Sequence, residues 1–359
     1  MNSASETILH IDLKKLEKNL EFFKRNLKPK TRIIAVVKAF AYGHGDIEIS
    51  KRLEGLGVYA LWVSDFEEGV VLRKSGVKIK IIVANPGVKS YNHIIQNNLD
   101  VVLYNHKLLD LYCTNKKKTN IHIKFDTGMN RYGFKHNDIA KIITKLRANK
   151  HLKLDSICSH LAASEDKNKK GETLNQITQF KLIGKEFDSI LGKTVNKHIL
   201  NSNGVVNFNE YQMDGVRIGI GLLGAAKHKE LTQISSLVSV ITQIKSIKKD
   251  EAIGYGFSFA AKKDMIIAVI PVGYADGLNR QLSNGNGHIY INNNKCNIVG
   301  KISMDSCMVD VSNVKANEGD QVEIFGPNLS VFEIADKINT IPYEIYSTLN
   351  RRIKRVYSD

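Results

Sequence analysis

Eight short apolar runs, separated by longer segments of mixed polar and apolar residues, precede residue 220. Most of the runs are nearly continuous stretches of Ile, Val and Leu, which are typical of parallel strands covered on both faces. The segments between them are long enough for crossover helices. Eight repeats of strand and helix predict a (β/α)8 barrel of the TIM type. The runs lie at residues 32–39, 59–64, 80–85, 101–104, 121–126, 154–160, 197–202 and 214–219.

The pattern changes from residue 234 onward. Strand-like runs follow one another without helices between them, and Gly or Asn turn signals recur about every ten residues. This predicts a mostly-β domain with one late helix at 331–339. Near the other end, residues 12–27 predict an amphipathic helix that Asp12 is placed to cap. We therefore expect an α/β fold with a barrel domain at 1–233, whose first residues are candidates for pairing with the β domain, and a C-terminal β domain at 234–359.

The composition is that of a folded protein, with 43% hydrophobic and 25% charged residues among 359. The formal net charge of +16 is compatible with three kinds of anionic partner: nucleic acid, an anionic membrane or an acidic small molecule. The sequence contains no nucleic-acid-binding motif, and no apolar run has the length of a membrane span. We expect neither a nucleic-acid nor a membrane partner, because most of the lysines lie in polar loops and on polar helix faces.

The four cysteines, Cys113, Cys158, Cys296 and Cys307, are far apart in the sequence. This spacing indicates neither a zinc knuckle nor a disulfide framework, and no metal site is expected. The polar start MNSASETILH lacks the charged and apolar regions of a secretory signal. We expect a cytoplasmic protein.

Polar side chains stand where several of the predicted strands end. In barrels of this type the active residues project from the carboxyl ends of the strands. Lys38 follows four apolar residues, and apolar surroundings lower the pKa of an amine, as Schiff-base chemistry with a carbonyl requires. Taken singly, each of these residues also has a structural explanation, such as a solvated lysine, a packed histidine or an arginine that bridges a strand and a loop. The residues are Lys38, Lys124, Asp126, Arg131, His160, Asn201, Ser202 and Arg217.

A series of motifs resembles the alanine racemases in the same order, from about residue 8 to residue 357. The motifs are VVKAFAYGHG, KFDTGMNRYGF, CSHLAASED, NSNG with VRIGIGLLG, IGYGFSF, PVGYADG and ISMD. The resemblance implies a homodimer with shared active sites, in which the β domain of one subunit contributes to the site of the other. It also implies an enzyme that interconverts L-alanine and D-alanine and so supplies D-alanine for peptidoglycan.

The resemblance implies roles around the cofactor, pyridoxal 5'-phosphate (PLP). Lys38 is expected to bind PLP covalently. Arg217 is expected to face the pyridine nitrogen, and because arginine keeps its proton it leaves that nitrogen unprotonated. Tyr42 and Ser202 are expected to contact the phosphate, although a packed aromatic and a helix cap remain as alternatives for them. The full set of implied cofactor residues is Lys38, Tyr42, Arg131, His160, Asn201, Ser202, Arg217, Gly219, Ile220 and Tyr343.

Racemisation requires a proton to leave one face of the substrate and another to arrive on the opposite face, which two bases achieve most simply. The resemblance gives these roles to Lys38 and to Tyr255 of the other subunit. Lys124 occupies a position that is carbamylated in some members of the family. The implied substrate contacts are Arg131, Tyr274, Ser303, Met304 and Asp305.

Three positions depart from the family pattern. Phe40 replaces a usual asparagine two residues after Lys38, and we expect it to remove a hydrogen bond beside the cofactor or to reshape the pocket. Ile218 and Leu223 are expected to be packing changes. A racemase of serine or of broader specificity and a noncatalytic PLP-binding protein remain open alternatives. A barrel-type decarboxylase is disfavoured, because those enzymes have an acidic residue near the pyridine nitrogen, where Arg217 stands here.

Overall fold

The structure is a computed structural model that describes residues 5–359. Residues 1–4, at the start of the polar segment MNSASETILH, lie outside the described residues. The strands in chain order are β1 (Ile8–Asp12), β2 (Arg32–Val36), β3 (Ala60–Val63), β4 (Lys80–Val83), β5 (Asp100–Leu103), β6 (Thr119–Lys124), β7 (Leu152–Cys158), β8 (Asn196–His198), β9 (Gly215–Ile218), β10 (Ser235–Val240), β11 (Gln243–Ile247), β12 (Ala252–Ile253), β13 (Phe259–Ala260), β14 (Met265–Ile270), β15 (His288–Ile291), β16 (Asn294–Val299), β17 (Cys307–Asp310), β18 (Gln321–Phe325) and β19 (Lys354–Ser358). The α-helices are α1 (Leu13–Asn26), α2 (Lys38–Tyr42), α3 (Asp46–Gly55), α4 (Phe66–Lys74), α5 (Tyr91–Gln96), α6 (His106–Thr114), α7 (Ile139–Ala148), α8 (Lys170–Leu191), α9 (Ser202–Asn207), α10 (Val331–Lys337) and α11 (Pro342–Ser347).

Strands β2 to β9 form a closed barrel in chain order. All neighbouring strands pair in parallel, and β9 closes the barrel on β2 with Arg217 opposite Ile34. Strands β3 and β5 are buried along their whole length, as expected of parallel strands with helices on one side and the barrel interior on the other. The prediction of a TIM-type barrel followed by a mostly-β region is confirmed.

Side-chain caps begin several helices. Asp12 accepts a hydrogen bond from the Lys15 N–H at the start of α1, Asp65 accepts from Glu68 N–H at the start of α4, and Asn105 caps α6 in the same way. Such caps satisfy backbone donors that the first helical turn leaves free. At α4 and α6 they turn the chain into a helix shortly after a strand, which keeps the residues between strand and helix at the rim of the barrel.

The barrel interior has an apolar part and a polar part. The apolar part packs Ile34, Ala60, Trp62, Ile82, Val102 and Cys158. The polar part contains two buried histidines, His122 and His198, with Ser156 between them and Arg217 beside them. This departs from the layers of branched apolar side chains that usually fill such a barrel.

A nine-stranded sheet in the order β11-β14-β17-β16-β15-β18-β10-β1-β19 contains most of the strands after the barrel. Strand β1, which precedes the barrel, pairs antiparallel with β10 and parallel with β19. The division of the chain at residue 234 stays a prediction, and the sheet draws strands from both sides of it.

No helix within residues 5–359 is long and apolar enough to cross a lipid bilayer. The four cysteines are free thiols.

Candidate active site

A cavity of about 300 Å³ opens at the carboxyl ends of the barrel strands. It brings together every residue that the sequence predicts for the cofactor site, and Lys124 as well. Tyr343 comes from helix α11, which lies outside the barrel and close to the end of the chain. The predicted residues that line the cavity are Lys38, Tyr42, Lys124, Arg131, His160, Asn201, Ser202, Arg217, Gly219, Ile220 and Tyr343.

A left-handed turn follows Lys38. Residues 39–42 have φ between 49° and 57° although none of them is glycine, a conformation that costs about 1–2 kcal/mol per residue. The turn brings Tyr42 back to the same cavity as Lys38. The cavity walls displace much of the water around the amine, and together with the Arg131 guanidinium this lowers the pKa of Lys38, while Glu68 opposes the change.

Glu68 holds the left-handed turn in place. Its Oε1 accepts a hydrogen bond from the Ala39 N–H at 2.6 Å, and its Oε2 accepts from the Ser64 N–H at 2.7 Å. Burial raises the pKa of Glu68, and the two N–H groups oppose that rise. Sequence reasoning missed this residue. The local signal, Asp65 three residues before it, is typical of a capping box, but Glu68 reaches across to the turn after Lys38 instead.

Phe40 lies away from the cavity. Its ring is 4.6 Å from the Arg351 guanidinium carbon and 5.3 Å from that of Arg355, and it lines a separate surface cleft formed with residues 347–351. The expectation that Phe40 reshapes the cofactor pocket is therefore wrong. The reason is the left-handed turn, which points successive side chains in directions that a continuing strand would not give them.

One part of the cavity lining offers hydroxyl groups. Ser202 Oγ accepts from the Gly219 and Gly221 N–H groups at 3.0 and 3.1 Å, so its own proton is free to be donated. Asn201, and not Ser202, caps α9, which excludes the helix-cap explanation of Ser202. Because the Gly219 N–H is already used by Ser202, the contribution of Gly219 is space for a ligand.

Two phenols complete this part of the cavity lining. The rings of Tyr42 and Tyr343 lie 6.0 Å apart, edge to face. Within residues 5–359 neither hydroxyl has a hydrogen-bond partner, and both residues line the cavity. Burial raises the pKa of Tyr42 and raises that of Tyr343 to about 12. Both phenols therefore keep their protons and remain hydrogen-bond donors.

Arg217 is fixed by bonds to both terminal nitrogens. Nη1 donates to His198 Nδ1 and to the His198 carbonyl, and Nη2 donates to His160 Nδ1 and to the Ser159 and Ile199 carbonyls. Its guanidinium carbon lies 5.3 Å from the centre of the Trp62 ring. In the described part of the chain Nε has no partner. The one N–H of Arg217 that is left for a ligand is therefore Nε–H.

His160 is held as a neutral donor. Burial, with the charge of Arg217 as the next cause, lowers the pKa of His160 well below its usual value. Because arginine only donates, the His160 Nδ1 that lies 3.1 Å from Arg217 is an acceptor. The proton of the neutral ring is therefore on Nε2, for which the described residues provide no acceptor.

The charged side chains that line the cavity are all basic. Its lining contains Lys38, Lys124, Arg131 and Arg217, and none of the described lining residues is acidic. Burial, followed by the charges of Arg217 and Arg131, lowers the pKa of Lys124 to about 8. Such a site attracts an anion and provides amines that lose their protons more readily than a free lysine does.

Asp126, also singled out at a strand end, does not line this cavity. Its Oδ1 accepts from the Gly128 and Asn130 N–H groups, both at 3.0 Å. Burial raises the pKa of Asp126, but these bonds and Lys135 outweigh it and lower the pKa below its usual value. Asp126 thus shapes the loop that carries Arg131.

Comparison with known sequences matches residues 11–227 to the family described as "Alanine racemase, N-terminal domain" and residues 234–357 to the one described as "Alanine racemase, C-terminal domain". The chain belongs to the alanine racemase family. It is 34% identical to alanine racemase 1 of Caldanaerobacter subterraneus subsp. tengcongensis, over 98% of this chain and 94% of that protein. It is 35% identical to the alanine racemase of Fusobacterium nucleatum, over 98% and 99%.

Solved alanine racemases have the same fold. The enzyme of Clostridium difficile 630 superposes with a TM-score of 0.93 at 28% identity, covering 99% of this chain and 97% of that one. The alanine racemase of Bartonella henselae, described with covalently bound pyridoxal phosphate, gives a TM-score of 0.89 at 31% identity, covering 99% and 100%.

The family motifs that follow residue 234 lie outside the cavity of their own chain. Tyr255, Tyr274 and Met304 are 70%, 45% and 54% exposed. Tyr274 and Met304 are joined through their loops, because the Tyr274 N–H donates to the Ser303 carbonyl at 3.0 Å and the Ala275 N–H donates to the Met304 carbonyl at 3.0 Å. Asp305 accepts from Arg352 in the same region. Phe257 is 81% exposed beside Tyr255, and sequence reasoning did not single it out.

Proposed function

We propose that this chain is a PLP-dependent alanine racemase that interconverts L-alanine and D-alanine. The observation that carries the proposal is the lining of the cavity. An amine with a lowered pKa, Lys38, and an arginine with only Nε–H free, Arg217, face one space without an acidic residue among the described lining. Arg217 argues against a barrel-type decarboxylase for the reason given by the family resemblance.

The donor set fits PLP. The phosphate of PLP is a dianion, and the hydroxyls of Tyr42, Ser202 and Tyr343, which all line the cavity, are free to donate to it. A Cβ on Gly219 would overlap the Tyr42 hydroxyl. The glycine therefore leaves space beside that hydroxyl, where the phosphate is proposed to bind. Nε–H of Arg217 supplies a donor for the pyridine nitrogen, and the Lys38 amine supplies the nucleophile for the aldehyde.

When bound, PLP withdraws electrons from the substrate and makes the hydrogen on its α carbon acidic. The Lys38 amine then serves as the base on one side, since its lowered pKa gives it a proton-free form nearer to neutral pH. Arg217 cannot give up its proton, so it does not protonate the ring and restrains the build-up of negative charge there.

Tyr255 of the partner subunit is the proposed base on the opposite side. Its ring is largely exposed in the single chain, as a group that completes a neighbouring site must be before the subunits join. The His160 Nε2–H is the donor available to a phenolate oxygen in the cavity. We infer a homodimer in which each cavity is completed by residues from the C-terminal β domain of the other subunit.

Alanine is the proposed substrate. The Arg131 guanidinium is a planar donor suited to a carboxylate, and the backbone N–H of the partner's Met304 is proposed to help hold it, beside the partner's Tyr274, Ser303 and Asp305. The product D-alanine would serve peptidoglycan synthesis.

An absorbance spectrum of the purified protein, before and after borohydride, tests cofactor and lysine together. We expect a visible band that borohydride abolishes, with PLP retained on the peptide that contains Lys38. Retention on another lysine, or no band in protein reconstituted with PLP, contradicts the proposal.

Racemisation of a panel of L-amino acids then tests the substrate. We expect alanine to be turned over with the highest kcat/KM. A kcat/KM for alanine well below that for serine or lysine would contradict the assignment. Light scattering tests the homodimer, and a chain that stays monomeric while fully active would exclude a shared site.

A further inference from the structure

A line of buried polar side chains runs from Arg217 into the barrel interior. His198 Nε2 lies 2.9 Å from Ser156 Oγ, and Ser156 Oγ lies 2.7 Å from His122 Nδ1. His122 Nε2 in turn faces Asp100 Oδ2 at 3.8 Å. All five residues are at most 4% exposed. They occupy strands β5, β6, β7, β8 and β9, so the line spans one side of the barrel.

This line is expensive to bury. Buried polar groups cost free energy unless they are paired, and a partly satisfied network is worse than an apolar core. None of the proposed cofactor or substrate contacts uses His198, Ser156 or His122. Each of the three nevertheless bonds to the next, and the series ends on Arg217, which lines the cavity and whose Nε has no partner among the described residues.

The protons along this line can be placed from one end. Arginine only donates, so His198 Nδ1 accepts, and the proton of a neutral ring lies on Nε2. Burial and the charge of Arg217 lower the pKa of His198 well below its usual value, which keeps the ring neutral. The His198 Nε2–H therefore donates to Ser156 Oγ.

The remaining protons follow in the same direction. The described residues offer Ser156 one other partner, His122 Nδ1, so the hydroxyl donates there. His122 Nδ1 then carries no proton, and the proton of the ring lies on Nε2. The His122 Nε2 atom lies 3.8 Å from Asp100 Oδ2, which is beyond hydrogen-bond distance. Asp155 Oδ2 lies 3.9 Å from His122 Nδ1, too far to compete with the serine. Every hydrogen bond from Arg217 to His122 then has one direction.

We propose that Ser156 and His122 are positioning residues for Arg217. They hold the His198 ring in the tautomer whose Nδ1 accepts from the guanidinium, and this keeps Arg217 turned with its Nε–H toward the cofactor. The inference rests on the proposed function for its effect on PLP, whereas the proton positions do not depend on it.

Neutron diffraction from deuterated crystals of the PLP-loaded protein tests the proton positions directly. We expect deuterium on Nε2 of both His198 and His122, none on Nδ1 of either, and the Ser156 deuterium pointing to His122. Deuterium on Nδ1 of either histidine overturns the proposal. This result requires neither a variant that folds nor an active enzyme.

Ser156→Ala tests the positioning role. The change interrupts the line between the two histidines, and we expect PLP to dissociate about tenfold more readily and kcat to fall about tenfold, with KM for alanine changed less than twofold. Ser156→Thr restores the hydroxyl, and we expect values within twofold of the wild type.

Ser50→Ala is the matched control, because Ser50 is a fully buried serine whose Oγ has no partner among the described residues. We expect it to bind PLP and turn over alanine like the wild type. If Ser156→Ala equals Ser50→Ala in PLP affinity and kcat, the positioning role is wrong. A wild-type protein that binds PLP but does not racemise alanine would refute the proposed function alone, since PLP affinity still compares the two variants.

Discussion

Gly219→Ala adds one methyl group to the cavity lining, beside the Tyr42 hydroxyl. Gly219 does not need a positive φ, so the substitution is a test of space and not of backbone strain. The new Cβ would overlap the Tyr42 hydroxyl oxygen and would lie 3.1 Å from both Tyr42 Cζ and Val36 Cβ. Val36 belongs to a barrel strand, so the Tyr42 side chain is the part that has to move.

The size of the effect follows from that displacement. To reach ordinary contact the Tyr42 hydroxyl must withdraw by about 1 Å, which is enough to break a hydrogen bond to a phosphate. A hydrogen bond to a charged group contributes about 1.5–3 kcal/mol. We therefore expect PLP to bind Gly219→Ala about 10-fold to 150-fold more weakly than the wild type.

Titration of the PLP-free protein with PLP, followed by absorbance, measures this change. Gly215→Ala is the matched control, because Gly215 begins the strand that Gly219 follows and its new Cβ would be no closer than 3.4 Å to any neighbour. Thermal unfolding checks that both variants fold.

A double-mutant cycle with Tyr42→Phe separates this mechanism from a general loss of space. In the Tyr42→Phe background the hydrogen bond is already absent, so Gly219→Ala should weaken PLP binding by less than about threefold. If the free-energy costs of the two substitutions simply add, or if Gly219→Ala binds PLP like Gly215→Ala, the assignment of Tyr42 to the phosphate is wrong.

Three further predictions concern other parts of the site. Tyr255→Phe should leave the PLP absorbance band and the thermal stability unchanged while racemisation, followed by circular dichroism, falls by about 10²- to 10⁴-fold; full activity would refute its role as a base. Glu68→Gln replaces one acceptor of the turn by an amide N–H, so urea unfolding should show a loss of about 1–3 kcal/mol, and a result equal to that of its exposed neighbour variant Glu67→Gln would contradict this role. At pH 7 about a tenth of Lys124 is neutral, from its pKa of about 8, so its amine should attack CO₂, lose a proton to solvent and form a carbamate beside Arg131. A ¹³C NMR signal from labelled bicarbonate should then appear in the wild type and be missing in Lys124→Arg; its persistence in the variant would place the carbamate elsewhere.

The barrel and the cations at its rim could be predicted from the sequence because both depend on local patterns. A nearly continuous apolar run such as 32–39 indicates a strand that is buried on both faces of the sheet. The carboxyl ends of parallel strands all point to one rim, so Lys38, Lys124 and Arg217 had to meet once the strands were identified. No distance between them was needed for that inference.

The residues that sequence reasoning missed act through contacts between distant segments. Glu68 bonds to Ala39, 29 positions away, and nothing in a helical turn reveals such a partner. The left-handed turn at 39–42 contains no glycine, so its φ values follow from its surroundings and not from residue preference. The position of Phe40 could not be predicted for the same reason. Ser156 and His122 look like ordinary core positions until the strands are placed side by side.

The cationic groups that line the cavity divide into two kinds, and this division explains how one cavity both attracts an anion and supplies bases. Arg131 and Arg217 keep their protons at any pH that a protein tolerates. Burial and the charge of these arginines lower the pKa of Lys38, Lys124 and His160. The arginines therefore hold the positive field that an anionic cofactor needs, and the same field makes the neighbouring amines and imidazole release their protons. Replacing Arg131, whose charge acts on all three groups, by a neutral residue would weaken the attraction for the anion and raise the pKa of Lys38, Lys124 and His160 together. The formal charge of +16 on the whole chain has no such effect, because most of it lies on solvated lysines.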